Sequence, residues 1–209
     1  MLPDLVTPLQ ELGHKVCVVD DARAIPQSDV TFLLSYWEIV SKEILGRSRN
    51  NLVVHESALP LGRGWSPVTW QILEGKNKIP VCLIEATERF DSGDIYLADF
   101  MVLSGNELLG QIRREQARVT FGLALDFVSR YPAILERATP QAGEESIYTR
   151  RGPADSRIDP HQSIADQFNL LRVVDNDTYP AFFELNGSTY RLQIQEASQV
   201  VEGRARNED

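Results

Sequence analysis

Two residues stand where a fold could build chemistry. His55 closes the apolar run Leu52-Val53-Val54, and Asp91 follows a second apolar run, residues 79–86. A buried strand that ends in a histidine presents the imidazole beyond its carboxyl end, where open α/β sheets bind ligands. Two such loops at one sheet edge would bring the Asp91 carboxylate to the His55 ring. That contact fixes the ring's tautomer and suits it to general acid–base work. On these two residues alone, a histidine and an aspartate in unrelated surface loops is the plainer reading.

Around the pair lie further candidates. Ser35-Tyr36-Trp37 follows a strand-like run, and its aromatics can pack in a core or line a ligand pocket. Arg63-Gly64 suits a tight loop, with the glycine for the turn and the guanidinium for an anion or a carbonyl. Ser57 lacks the Gly-x-Ser-x-Gly surroundings of a nucleophile and reads as a loop hydroxyl. Trp70 follows Pro67 on a helix and reads as core. Arg150-Arg151 could hold phosphates or form a solvated basic pair, while Arg113, Arg114 and Arg118 read as the wet face of a helix. The three histidines, at 14, 55 and 161, share no zinc-like spacing with the two cysteines, which argues against an imidazole-based metal centre.

The elements that must position these residues follow from periodicity. Residues 5–12 space Leu5, Val6, Leu9 and Leu12 as a helix, ended by Gly13. Residues 15–19 read as a buried strand holding Cys17, and residues 29–34 as another. Ser41 caps a short helix to residue 45. Strands are expected at 52–54, 79–86 and 95–101, and helices at 68–74 and 106–131, the second amphipathic. Strands alternating with helices predict an α/β fold with an open, mostly parallel Rossmann-like sheet. The chain begins in a helix where such sheets begin in a central strand, so either the fold is shortened or its first strand is missing. Beyond residue 132, residues 138–162 are polar, 164–174 read as an amphipathic helix, and Asn186-Gly187 between two strand-like runs marks a hairpin. The tail Val201-Glu202-Gly203-Arg204-Ala205-Arg206 onward reads as disordered. The expected division is a catalytic core over residues 1–135 and a small C-terminal extension over 136–209.

The order of residues from 51 to 94 is more specific than any single motif. His55-Glu56-Ser57-Ala58-Leu59-Pro60, Arg63-Gly64, Pro67, Trp70 and Asp91-Ser92-Gly93 occur in sequence. This stretch resembles the core of the 10-formyltetrahydrofolate-dependent formyltransferases. That family carries Asn-x-His-x-Ser-Leu-Leu-Pro, then Arg-Gly, a Pro before a helix, and Asp-x-Gly. The resemblance covers about residues 10 to 130. Later matches at Arg151, Pro153, Asp155-Ser156, Leu171-Arg172 and Tyr179-Pro180-Ala181-Phe182 are similar to the branch that formylates amino sugars. It implies His55 and Asp91 as the catalytic pair. Ser35, Tyr36, Trp37, Ser57, Arg63 and Gly64 would line the folate site, and Arg150 and Arg151 would meet a nucleotide sugar. The implied formyl donor is 10-formyltetrahydrofolate.

One position departs from that pattern. The family's asparagine two residues before the histidine is Val53 here, which has no donor for a developing oxyanion. One such donor is worth about 2.7–4 kcal/mol. Asn51 faces the same way on a strand but lies roughly 6–7 Å farther back, out of reach without a bulge. A second reading is therefore a relative that binds folate or a sugar nucleotide with impaired turnover. A third keeps the enzyme and changes the acceptor to tRNA or glycinamide ribonucleotide.

Composition frames these readings. The 209 residues are 43% hydrophobic and 24% charged, enough for one core with an extension. The net charge of -9 disfavours a broad phosphate-binding surface, hence nucleic acid as partner. No run approaches the roughly 18 apolar residues of a membrane span. The amino terminus lacks signal-peptide character, and two cysteines in apolar runs read as free thiols. With the resemblance, which implies an enzyme with a small-molecule amine substrate, these predict a cytoplasmic protein, self-association as a homodimer being left open.

Overall fold

The computed structural model describes residues 2–197. In chain order the elements are α1 (Pro3–Glu11), β1 (Ser28–Phe32), α2 (Lys42–Leu45), β2 (Ser48–His55), β3 (Arg63–Gly64), α3 (Pro67–Leu73), β4 (Lys78–Glu85) and β5 (Ile95–Val102). Then follow α4 (Leu109–Arg130), β6 (Ile147–Tyr148), α5 (Phe168–Val173), β7 (Ala181–Leu185) and β8 (Ser188–Leu192). No helix among the described residues is long and apolar enough to cross a membrane.

The main sheet has the order β1-β2-β4-β5. β1 and β2 pair in parallel, joined through α2, whose Ser41 hydroxyl accepts the Ile44 N–H at 3.4 Å. β4 runs against β2, and β5 runs against β4. Three of the four strands therefore point the same way, as expected of an open α/β sheet, with β4 reversed in their midst.

β4 shows why this sheet is the centre of the core. Its Ile79, Val81 and Leu83 face α4 and α3, where Ile112, Val119, Leu123, Phe127 and Ile72 meet them. The alternate residues Cys82 and Ile84 face Leu59 on the other side. Both faces being covered, β4 reads as a continuous apolar run. On the same side as α4, α1 buries Leu5 and Leu9 against Ala124. It ends through Leu12 into Gly13, whose φ of +87° is the left-handed conformation that helix ends favour.

Beyond α4 the chain returns to the core. Thr139 and Ile95 exchange backbone hydrogen bonds at 2.9 Å, and β6 pairs in parallel with β3. Residues expected to begin a separate extension at 136 thus complete the loop surface of the core. A distinct small cluster, Ile158, Leu171, Val174 and Ala181, forms later under the β7–β8 hairpin. Its Asn186-Gly187 turn has φ of +51° and +77°, the two positive values that a tight hairpin of this type needs.

Two expectations are corrected. Residues 15–19 form no strand, and Cys17 is exposed, as are Val18 and Val19. The segment has strand-forming residues, but among the described residues no neighbouring strand supplies its backbone hydrogen bonds, and apolar β-branched residues alone do not make a ladder. The helix expected over 164–174 is confined to α5, and Ile164 is exposed. Here the side chain of Gln167 donates to the Asp159 carbonyl at 3.0 Å and competes with helix continuation. The tail from residue 198 lies outside the described residues.

Candidate active site

His55 is the last residue of β2, and its ring is buried. The shared sheet edge expected to bring Asp91 to it does not exist, because β4 is antiparallel to β2. In the β2–β4 register Leu52 lies opposite Glu85 and His55 opposite Cys82. β4 therefore ends level with the middle of β2, roughly 10 Å short of the imidazole at 3.3 Å per residue. The loop between β4 and β5 closes that gap by doubling back.

Several contacts impose that path. The Ala86 N–H donates to the Asn51 carbonyl at 2.6 Å as the loop leaves the sheet. Asp91 adopts φ +48°, a left-handed conformation that aspartate tolerates better than most residues. Gly93 passes so close to β4 that a Cβ would sit 1.8 Å from the Glu85 carbonyl oxygen. Gln141 clasps the loop from outside, its amide donating to the carbonyls of Asp91 at 2.8 Å and Gly93 at 2.9 Å.

So placed, Asp91 lies 3.4 Å from His55 Nδ1 through Oδ1, and its Oδ2 accepts the Gly64 N–H at 2.9 Å. The other ring nitrogen, Nε2, is 2.8 Å from the Gly62 carbonyl. A carbonyl only accepts, so Nε2 carries the hydrogen of that bond. Nδ1 meanwhile faces a carboxylate, which also only accepts. The imidazole is thus held between Asp91 and the loop that leads into β3.

The pair sits in the wall of a cavity of about 1000 Å³. Ser35, Tyr36 and Trp37 line it from the loop after β1, Arg63 and Gly64 from β3, and Gln116 and Thr120 from α4. Ser57 does not line it: the side chain is buried, and its Oγ has no hydrogen-bond partner among the described residues. Arg150 and Arg151 are not among the residues lining it; one lies over the ring of Trp65, a lining residue, at 4.8 Å and the other over Trp70 at 5.2 Å. Trp70 in turn stacks on Tyr148 with centroids 6.0 Å apart, and the Tyr148 hydroxyl donates to Glu74. Burial, with Glu74 adding to it, pushes that phenol up to about 12. Trp70 is thus a platform for arginine as much as a core residue.

Val53 lines the cavity without offering a donor. Asn51 does not substitute for it: the residue is buried and its amide donates to the Leu45 carbonyl at 2.9 Å. Two residues to which sequence reading gave no role sit beside the pair. Gln141, besides holding the Asp91 loop, accepts from Arg63 at 2.6 Å, and Arg63 also pairs with Glu145. Glu56 lines the cavity next to His55, one oxygen accepting from Gln116 at 2.6 Å. Burial pushes its carboxyl above the usual range. Gln141 and Glu145 fall in a polar stretch with no periodicity, so no local signal marked them. Glu56 stood in plain view as the residue after His55.

Comparison with known proteins places this arrangement. Residues 15–117 match the model of the formyl transferase family. Over 200 residues the chain is 31% identical to methionyl-tRNA formyltransferase of Symbiobacterium thermophilum, covering 95% of this chain and 56% of that protein. Residues 15–117 belong to the formyl transferase family. It spans a little over half the length of that curated relative. Among solved structures, a sugar N-formyltransferase from Shewanella sp FDAARGOS_354 superposes with a TM-score of 0.60 at 16% identity, covering 81% of this chain and 70% of the other. HypX from Aquifex aeolicus, solved in complex with tetrahydrofolic acid, gives 0.64 at 20% identity over 92% of this chain and 31% of its own. At these identities the likeness shows the formyltransferase fold.

Proposed function

We propose that this chain transfers a formyl group from 10-formyltetrahydrofolate to the amine of a small acceptor, a nucleotide-linked amino sugar. The observation that carries the reading is the His55–Asp91 pair, locked at 3.4 Å in the wall of the large cavity by a loop that has to double back to form it. Nothing in the sheet itself requires that detour.

The cavity suits a folate donor. Tyr36, Trp37 and Phe90 offer flat apolar surface for a heterocycle, and Arg63 and Arg89 offer cations near its rim. The tetrahydrofolate complex of HypX, a protein of similar fold, supports the same choice. When bound, the donor supplies an activated formyl carbon. In this reading His55, held between Asp91 and Gly62, presents its ring beside the formyl oxygen as that oxygen gains electrons. Asp91 orients the ring. Arg150 and Arg151 are assigned to the phosphates of the acceptor.

The methionyl-tRNA formyltransferase relative favours a second acceptor, a charged tRNA. The net charge of -9 weighs against it, because polyanion binding scales with the number of cationic contacts. The test is formyl transfer from 10-formyltetrahydrofolate to UDP-linked aminoarabinose and, in parallel, to methionyl-tRNA. His55→Ala is expected to lower the rate by about 10²–10³. Transfer that is unaffected by His55→Ala would sink the assignment, and faster transfer to tRNA would replace the acceptor.

A further inference from the structure

In the reading above, a proton must leave the acceptor amine as it is formylated, and His55 is poorly placed to take it. Nε2 is spent on the Gly62 carbonyl at 2.8 Å, and Nδ1 faces Asp91 at 3.4 Å. Both ring nitrogens thus already face partners within the protein.

The acids that line the cavity differ in how far they are committed. Asp91 uses one oxygen on His55 and the other on the Gly64 N–H. Glu145 is ion-paired to Arg63 and lies 3.6 Å from Arg89. Glu56 has a neutral partner, the Gln116 amide of α4, and no ion pair among the described residues. Its backbone is fixed as well, the carbonyl accepting from Gln71 of α3 at 2.6 Å. Two helices therefore hold Glu56 at the cavity wall immediately after His55.

We propose that Glu56, and not His55, is the proton-transfer residue of this site. Glu56 takes the proton that the acceptor nitrogen loses as its bond to the formyl carbon forms. Glu56 then returns that proton to the donor nitrogen as the bond between that nitrogen and the formyl carbon breaks. The two transfers cancel, so the carboxylate is restored after each turnover. The proposal rests on the formyl-transfer reading and refines who moves the proton within it.

Electrostatics agree with this role. Burial is the largest influence on Glu56 and raises its pKa, the nearby Asp91 charge adding to the rise; Gln116 and His55 pull the other way. The remaining charged groups around the cavity are Arg113 on α4 and the Arg63, Arg89 and Glu145 cluster. Arg113 is drawn off by Asp175 at 3.2 Å, and that cluster is paired within itself. A carboxyl raised above its ordinary range accepts and returns a proton more evenly than an ordinary one.

The test combines a titration with kinetics. Carbon-13 carboxyl NMR of the full chain, assigned by difference against Glu56→Gln, is expected to show Glu56 titrating above the ordinary glutamate range. A Glu56 that titrates at or below the ordinary value overturns the proposal without reference to activity. In transfer from 10-formyltetrahydrofolate to UDP-linked aminoarabinose, Glu56→Gln should lower kcat by about 10²–10⁴ and remove the acidic limb of the pH profile. Glu56→Asp should restore part of the rate together with that limb. Wild-type rate and pH profile in Glu56→Gln would overturn the role of Glu56 alone, leaving formyl transfer standing. A wild-type chain that transfers no formyl group to UDP-linked aminoarabinose or methionyl-tRNA would overturn both.

Discussion

Gly93 and Val53 show how much one side chain decides here. At Gly93 a methyl group would meet the Glu85 carbonyl oxygen at 1.8 Å, so the loop that carries Asp91 has to move if a Cβ is added. Gly93→Ala is expected to destabilise the chain by roughly 1–3 kcal/mol, as overpacking does, and to depress transfer more than Glu88→Ala in the same loop. Denaturant midpoints and rates on the two variants check this. Val53 is the converse case, a missing group rather than an excluded one. It lines the cavity from β2, and Asn51 is engaged elsewhere, with Leu45. Val53→Asn is expected to raise kcat, by up to about 10²-fold if its amide reaches the formyl oxygen. An unchanged kcat would mean that another donor already serves that oxygen. Both positions were readable before any fold was known, one as a departure from a family pattern and one as part of Asp-x-Gly. The contact that makes Gly93 obligatory was not, because Glu85 becomes its neighbour through the turn between β4 and β5.

At the level of elements, the junction between β5 and α4 is tied to α5 by a charge. The Glu107 carboxylate accepts the N–H groups of Ser104 at 2.6 Å and Gly105 at 3.0 Å, and faces the buried Arg172 at 3.4 Å. Burial opposes ionisation, but these hydrogen bonds outweigh it and hold the carboxyl down to about 2. Arg172 also donates to Asn77 at 2.6 Å, at the turn before β4. The folded value lies below the ordinary glutamate value, so this stabilisation is complete above about pH 5 and is lost as pH falls toward 2. Its size is on the order of 2–3 kcal/mol. Thermal or urea unfolding should therefore lose more stability over that window in wild type than in Glu107→Gln, whose profile should be flatter. Equal slopes would show that the junction is held by packing alone. The elements it joins were legible from periodicity, α4 most clearly. α5 was overextended to residue 164, since Gln167 diverts its side chain to the backbone around Asp159.

Across the whole molecule the two thiols report on what is packed. Cys82 lies inside the sheet, where burial raises its pKa, while Cys17 lies exposed on an extended segment. A thiol reagent at neutral pH is expected to modify one cysteine in the native chain and the second upon unfolding. Two rapid reactions would contradict the buried β4, and none would contradict the exposed segment. Both cysteines occupy apolar runs of similar length, so sequence treated them alike.

The sequence by itself determined the α/β alternation, the long α4, the Asn186-Gly187 hairpin and the ordered set of residues around His55 and Asp91. These are properties of neighbours along the chain, carried by period, turn chemistry and spacing. Tertiary structure decided the rest. It reversed β4, so that the Asp91 loop has to fold back over β3, and brought Gln141 and Glu145 from an unpatterned stretch to hold it there. It left residues 15–19 without a strand partner and set Glu56 against Gln116 at the cavity wall. Strand pairing and side-chain satisfaction depend on groups tens of residues apart, and no local pattern specifies which distant edge or amide will be within hydrogen-bond reach.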